Sequence, residues 1–152
     1  MIRPIEASDR AAWGDLWSQY LAFYETVLPE EIYASTWSRL LDPAEPVWGA
    51  LAVEAGRPVG LVHFLFHRTA WAIEDSCYLQ DLFVSPVGRG QGHGRALIEH
   101  VAAEARRRNC ARLYWHTHES NVTAQRLYNR VAARSGFIQY RLPLAGGPED
   151  RD

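Results

Sequence analysis

CYLQDLFVSPVGRGQGHGRALIEHVAAEA, residues 77–105, is the stretch on which the fold turns. Cys77 to Val84 is rich in apolar and aromatic side chains and reads as a strand. Ser85-Pro86 ends it, since proline has no N–H to give a ladder. After the glycine-rich VGRGQGHG, residues Leu97, Ile98, Val101, Ala102 and Ala105 recur at helical spacing. Glycines permit positive φ and close approach of a ligand to the backbone. The first N–H groups of the next helix have no partner within it and lie at the positive end of its dipole. Strand, glycine turn and helix together make an anion site suited to a pyrophosphate.

Two familiar phosphate-binding patterns fail here. The dinucleotide fingerprint GxGxxG lacks its third glycine after both Gly88-x-Gly90 and Gly90-x-Gly92. A lysine-bearing phosphate loop is excluded because all 16 basic residues are arginine. What fits is R-x-x-G-x-G, carried by Arg89, Gly92 and Gly94.

Outward from this core, Val47 to Glu54 and Val59 to His67 read as strands joined by the turn residues Ala55-Gly56-Arg57-Pro58. Ile2 to Ile5 forms a short first strand. Ser8 and Asp9 then offer N-caps for a helix bearing Trp13, Leu16, Trp17, Tyr20, Leu21 and Tyr24. Pro29, Glu30 and Glu31 open a second helix, which runs through Ile32, Trp37 and Leu41 and stops before Pro43. Downstream, the pattern predicts a strand over Arg112 to Thr117, a helix from Val122 to Arg134 and a last strand over Phe137 to Leu142. The order β-α-α-β-β-β-α-β-α-β predicts an α/β fold with a mixed sheet and helices on both faces. Residues 1–144 are expected to form one domain and residues 145–152 a polar tail.

Composition narrows the function. With 47% hydrophobic and 22% charged residues, the 152-residue chain is ordinary for a folded single domain. A net charge of −2 supplies no field for nucleic acid. The missing lysine rules out a Schiff base. Cys77 and Cys110 have no metal or redox spacing and read as buried free thiols of a reducing compartment. MIRPIEASDR lacks a leader pattern and no apolar run would span a bilayer, so the expected site is cytoplasmic, without membrane contact. Neither His63 with His67 nor His116, His118 and Glu119 completes a metal-ligand set, so no metal is expected.

YLQDLFVSP before the turn, RGQGHGRALI within it, Asn121-x-x-Ala124-x-x-x-Tyr128 and Gly136-Phe137 occur in the order found in the GNAT superfamily of N-acetyltransferases, which the chain resembles over nearly its whole length. YWHTHESNVTAQRLY with GFIQYRLPL looks closest to the histone- and polyamine-acetyltransferase-like branch. The resemblance implies acetyl-CoA as cofactor, a splayed central strand pair and a homodimer. It implies that Leu82, Phe83 and Val84 meet the pantetheine arm, and that Arg89, Gly90, Gln91, Gly92, His93, Gly94 and Arg95 wrap the pyrophosphate. Asn121 and Ala124 would border the arm, and Tyr128 would be the general acid. Two features depart from the family. Seven residues rather than three separate Tyr128 from Gly136, about one extra helical turn. Gln80 stands where some polyamine-acetylating relatives carry Glu.

Acyl transfer to an amine needs a bound thioester, a neutral amine, oxyanion stabilisation and a proton for the leaving thiolate. An unpaired N–H near Leu82 to Val84 would stabilise the tetrahedral oxyanion. A tyrosine, with an ordinary pKa of about 10 against about 8.5 for a thiol, keeps its proton until a thiolate appears. Asp81, Glu74, His116, His118 and Glu119 are the candidate bases, with Asp81 and His118 preferred. On the acceptor side, Tyr20, Phe23, Tyr24 and Trp37 beside Glu25, Glu30, Glu31 and Gln80 suit a cationic amine through aromatic faces and carboxylates. The expected activity is acetylation of a small-molecule amine (polyamine or amino acid-like) or a protein amino group. The rival is a coenzyme A-binding sensor without turnover, against which Tyr128 argues.

Overall fold

A computed structural model describes residues 1–144. They fall into two compact units, divided after His116.

The first unit carries a five-stranded mixed sheet in sequential order. Strands β1 (Ile2–Pro4), β2 (Val47–Glu54), β3 (Arg57–His67) and β4 (Ser76–Val84) pair antiparallel, and β5 (Arg112–Tyr114) joins β4 in parallel. Helices α1 (Arg10–Phe23) and α2 (Glu30–Leu41) precede β2, and α3 (His93–Arg107) follows the glycine turn.

Because side chains alternate along a strand, the sheet presents two different faces. Leu51, Val53, Leu61 and Phe83 join Trp13, Leu16, Trp17 and Leu21 of α1 and Leu40 of α2 in one buried cluster. Gly60 lies on the opposite face, where Leu97 of α3 approaches so closely that a Cβ would stand 3.4 Å from it. Helices thus cover both faces, as the apolar periodicity required. Each fully buried side chain of this kind is worth about 1.5–3 kcal/mol, so the Trp13–Leu16–Trp17–Leu21 stripe anchors α1 to the sheet. The helix ends with Glu25 at φ 53°, where the Thr26 N–H reaches back to the Leu21 carbonyl at 2.9 Å.

The second unit contains α4 (Val122–Val131). The Asn121 side chain caps it by accepting from the Ala124 N–H at 3.2 Å.

The α/β class and the mixed sheet are as expected, with four corrections. Asp9 does not cap α1 with its side chain; its carboxylate accepts from the Glu6 N–H at 2.8 Å and pairs with both terminal nitrogens of Arg3. That pairing holds the Asp9 carboxyl below its ordinary range, the Arg3 hydrogen bond being the main cause. Strand β5 stops at Tyr114 rather than Thr117, because its ladder with β4 covers only three pairs. Helix α4 ends at Val131 rather than Arg134, since Ala132 turns to an extended backbone and Gly136 adopts φ 83°. The added residues before Gly136 therefore do not lengthen the helix. Finally, Phe137 to Leu142 forms no strand. Its alternation supplies propensity, but a strand also needs a ladder partner, and Phe137, Ile138, Tyr140 and Leu142 are all exposed. The tail beyond residue 144 lies outside the described residues. Among them, no helix is long and apolar enough to cross a membrane.

Candidate active site

The glycine turn is built for its backbone. Gly90 and Gly92 adopt φ 77° and 81°, in the left-handed region, and a Cβ at either would meet nothing within 4 Å. Conformation, not crowding, demands glycine there, and the space beside the main chain stays open. Gly92 heads α3, its carbonyl accepting from the Ala96 N–H at 3.0 Å. The N–H groups of His93, Gly94 and Arg95 are consequently the first-turn donors without a helical partner.

Side chains tie the turn down from within. Gly88 is buried against Val59, where a Cβ would stand only 2.9 Å from the Val59 Cβ. Glu54, the last residue of β2, receives His93 Nε2 at 3.3 Å, and the Gln91 amide nitrogen donates to the same oxygen at 3.1 Å. Arg89 Nε donates to the Val84 carbonyl at 3.2 Å. The Ser85 hydroxyl at the strand end is buried with no hydrogen-bond partner among the described residues.

Strand β4 has two irregularities that matter. Its register with β3 runs Val84 opposite Gly60 through Asp81 opposite His63, then jumps to Leu79 opposite Phe64. Gln80 is the extra residue of this bulge, and a bulge re-aims the side chains beside it. On the other edge, β5 pairs only with Ser76, Cys77 and Tyr78. Leu79 to Val84 therefore has a ladder on its β3 side alone among the described residues, and such an edge can accept an extended, amide-bearing chain. The glycine turn thus offers donors for an anion beside a strand edge that is open to an extended chain.

The bulge places Asp81 in a polar cluster. Trp13 Nε1–H donates to His63 Nε2 at 2.9 Å, and His63 Nδ1 faces Asp81 Oδ2 at 3.0 Å. Trp13 and His63 are buried, while the Asp81 side chain keeps 13% of its surface. Tyr20 of α1 lies beside it. Burial first, then the Asp81 charge and Tyr24, push the Tyr20 hydroxyl far above the ordinary phenol range, so it stays protonated. Tyr20 stacks on Trp17 at 5.1 Å and meets Tyr24 edge-on at 5.1 Å. Three sequence candidates, Tyr20, Tyr24 and Asp81, are thus brought together, with exposed Gln80 next in chain.

Each of the other candidates has its own local setting. Trp37 packs on Trp13 at 5.1 Å against the core cluster. Glu30 is paired with Arg10 at 2.7 Å, and Phe23, Glu25 and Glu31 are exposed. Glu74 and Glu119 are exposed on loops. His116 Nδ1 meets the Tyr78 hydroxyl at 3.2 Å, within a group that includes the stacked rings of Tyr78 and Tyr114. His118 Nδ1 accepts from the Ser120 N–H at 3.1 Å, so this ring organises the turn before α4. Ala124 and Tyr128 fall on the half-buried face of α4, and Asn121, half-buried too, is its cap.

Sequence reasoning missed two contributors. In the sequence His63 suggests only a metal ligand, although a lone imidazole within the apolar run VGLVHFLF signals a need for buried partners. Glu54 gave no signal, because its tie to the glycine turn joins residues 39 positions apart.

Comparison with known proteins bears on the family and the fold. The model of the Acetyltransferase (GNAT) family matches residues 10–133. The D-amino-acid N-acetyltransferase HPA3 of Saccharomyces cerevisiae is 38% identical over 143 residues, covering 93% of this chain and 89% of that protein. Among solved structures, a probable acetyltransferase superposes with a TM-score of 0.85 at 20% identity, over 97% of this chain and 99% of the other. The aminoglycoside N-acetyltransferase AAC(6')-Iy in complex with coenzyme A gives 0.80 at 16% identity, over 94% and 93%.

Proposed function

The chain belongs to the acetyltransferase (GNAT) family, whose members use acetyl-CoA, and on that premise we propose that it acetylates the amine of a small molecule, an amino acid or a polyamine. Acetyl-CoA supplies an acetyl group activated as a thioester. The N–H groups of His93, Gly94 and Arg95 and the turn from Arg89 to Gly92 hold the diphosphate by charge-assisted hydrogen bonds. The backbone of Leu82 to Val84 runs along the pantetheine arm, and the motif likeness assigns Asn121 and Ala124 to the same ligand. Asp81 takes the proton of the acceptor ammonium, and Tyr20 and Tyr24 offer it aromatic faces. Tyr128 returns a proton to the coenzyme A thiolate. His118, already committed to a turn, is the weaker base.

The observation that carries this reading is the Asp81 carboxylate, partly exposed at the bulge and held from behind by His63. Gln80 beside it cannot serve as a base, so the acidic function passes to the next residue. The amino-acid option draws on the relative named as a D-amino-acid N-acetyltransferase; the polyamine option draws on motif likeness alone.

Thiol release from acetyl-CoA, measured over a panel of D-amino acids, L-amino acids, polyamines and N-terminal peptides, tests the proposal. Turnover with one of the small amines is expected. Release with peptides only would move the acceptor class to proteins, and coenzyme A binding without release would leave the sensor reading. With the best acceptor, Asp81→Asn is expected to lower kcat about a hundredfold or more while the KM for acetyl-CoA stays within about twofold. An unaltered kcat would remove Asp81 as the base.

A second copy of the chain is the proposed partner of the exposed Phe137, Ile138, Tyr140 and Leu142 segment. Light scattering should return twice the 17.3 kDa chain mass; a monomer at micromolar concentration would refute the dimer.

A further inference from the structure

We propose that His63 is a positioning residue that orients the Asp81 carboxylate, and that Trp13 selects the ring tautomer through which it does so. The inference rests on the reading of Asp81 as the acceptor's base.

The argument starts from donors and acceptors. An indole N–H can only donate. Trp13 Nε1 lies 2.9 Å from His63 Nε2, so that nitrogen must present its lone pair. The single proton of the neutral ring then sits on Nδ1, which faces Asp81 Oδ2 at 3.0 Å. The result is a directed chain from indole to imidazole to carboxylate. Flipping the ring would set carbon atoms against both partners and break both bonds.

Burial makes the chain matter. Trp13 is 0% exposed and His63 3%, so water cannot substitute for either partner. An imidazole among apolar side chains is costly unless its nitrogens are bonded, and here both are. Packing fixes the ring as well: Trp17 meets it edge-on at 4.9 Å and Trp13 lies at 6.0 Å. The bulge supplies the third element. Continued from Leu79 opposite Phe64, a regular ladder would put Gln80 across from His63; the extra residue puts Asp81 there instead. One carboxylate oxygen thereby accepts a hydrogen bond from the imidazole Nδ1–H and Tyr20 stands beside the group, leaving further lone pairs for an acceptor ammonium.

Four variants test this: His63→Phe, His63→Asn, Asp81→Asn and the double variant His63→Phe/Asp81→Asn, each assayed for kcat, acetyl-CoA KM and Tm. His63→Phe is expected to lower kcat about tenfold or more through loss of carboxylate orientation, with the acetyl-CoA KM unchanged. His63→Asn places its amide nitrogen where Nδ1 stood and should recover kcat to within about threefold of wild type, although its Tm also falls. In the Asp81→Asn background, His63→Phe should cost less than about twofold, because residues acting through one another are not additive. Should His63→Phe be insoluble, His63→Gln takes its place, since its amide reaches the Nε2 position and leaves Asp81 without its donor. Equal losses from His63→Phe in both backgrounds, with no recovery by asparagine, would reduce His63 to a packing residue while the role of Asp81 stands. A normal kcat for Asp81→Asn would instead overturn the reading of Asp81 itself.

Discussion

Replacing Tyr128 by phenylalanine is expected to lower kcat about 10²- to 10³-fold, within the range of a lost general acid, and to leave acetyl-CoA affinity within about threefold. The change deletes one oxygen and keeps the ring, so the half-buried face of α4 formed by Ala124, Leu127, Tyr128 and Val131 retains its packing. A phenol is suited to the task because its ordinary pKa of about 10 lies above that of a thiol. It holds its proton at neutral pH and gives it up to a thiolate at close range. The distinguishing measurement is kcat against coenzyme A affinity, the second by calorimetry. Equal losses in both would make Tyr128 a binding or packing residue, and equal turnover would remove its acid role.

Replacing Gly92 by aspartate is expected to weaken acetyl-CoA binding by a hundredfold or more without unfolding the protein. Gly92 stands at φ 81° at the head of α3, and a Cβ there meets no atom within 4 Å. The fold therefore loses only the backbone cost of a left-handed residue, about 1–2 kcal/mol, and aspartate tolerates that region better than most. Ligand binding loses far more. Two like charges about 4 Å apart at an effective dielectric near 20 repel by about 4 kcal/mol, and the new carboxylate competes for the same first-turn N–H groups. Gly92→Ala separates the contributions, since it carries the backbone cost without the charge. The expected order of coenzyme A affinity is wild type, then alanine, then aspartate, with similar melting temperatures for the two variants. Unchanged affinity in the aspartate variant would show that this turn does not hold the diphosphate.

Most of the architecture was legible because its causes are local. Apolar periodicity sets Trp13, Leu16, Trp17, Tyr20, Leu21 and Tyr24 on one stripe of α1; four of the six are buried, Tyr20 is half-buried and Tyr24 exposed. The strand from Val47 to Glu54 formed with the bounds its pattern predicts. Where partners had to be supplied, local pattern misled. Phe137 to Leu142 alternates like a strand yet is exposed and irregular, and Arg112 to Thr117 pairs over only half its expected length.

Order of elements, the glycine requirement at positions 90 and 92 and the family motifs belong to the sequence itself, since period, φ preference and missing lysine are properties of neighbouring residues or of composition. Tertiary structure alone decided that Asp81, not Gln80, faces His63, that Trp13 fixes the proton on that ring, and that Glu54 ties down the glycine turn. Those contacts join residues between 18 and 50 positions apart. A single inserted residue in a strand shifts which side chain meets which partner across the ladder, and no window of neighbouring residues records that shift.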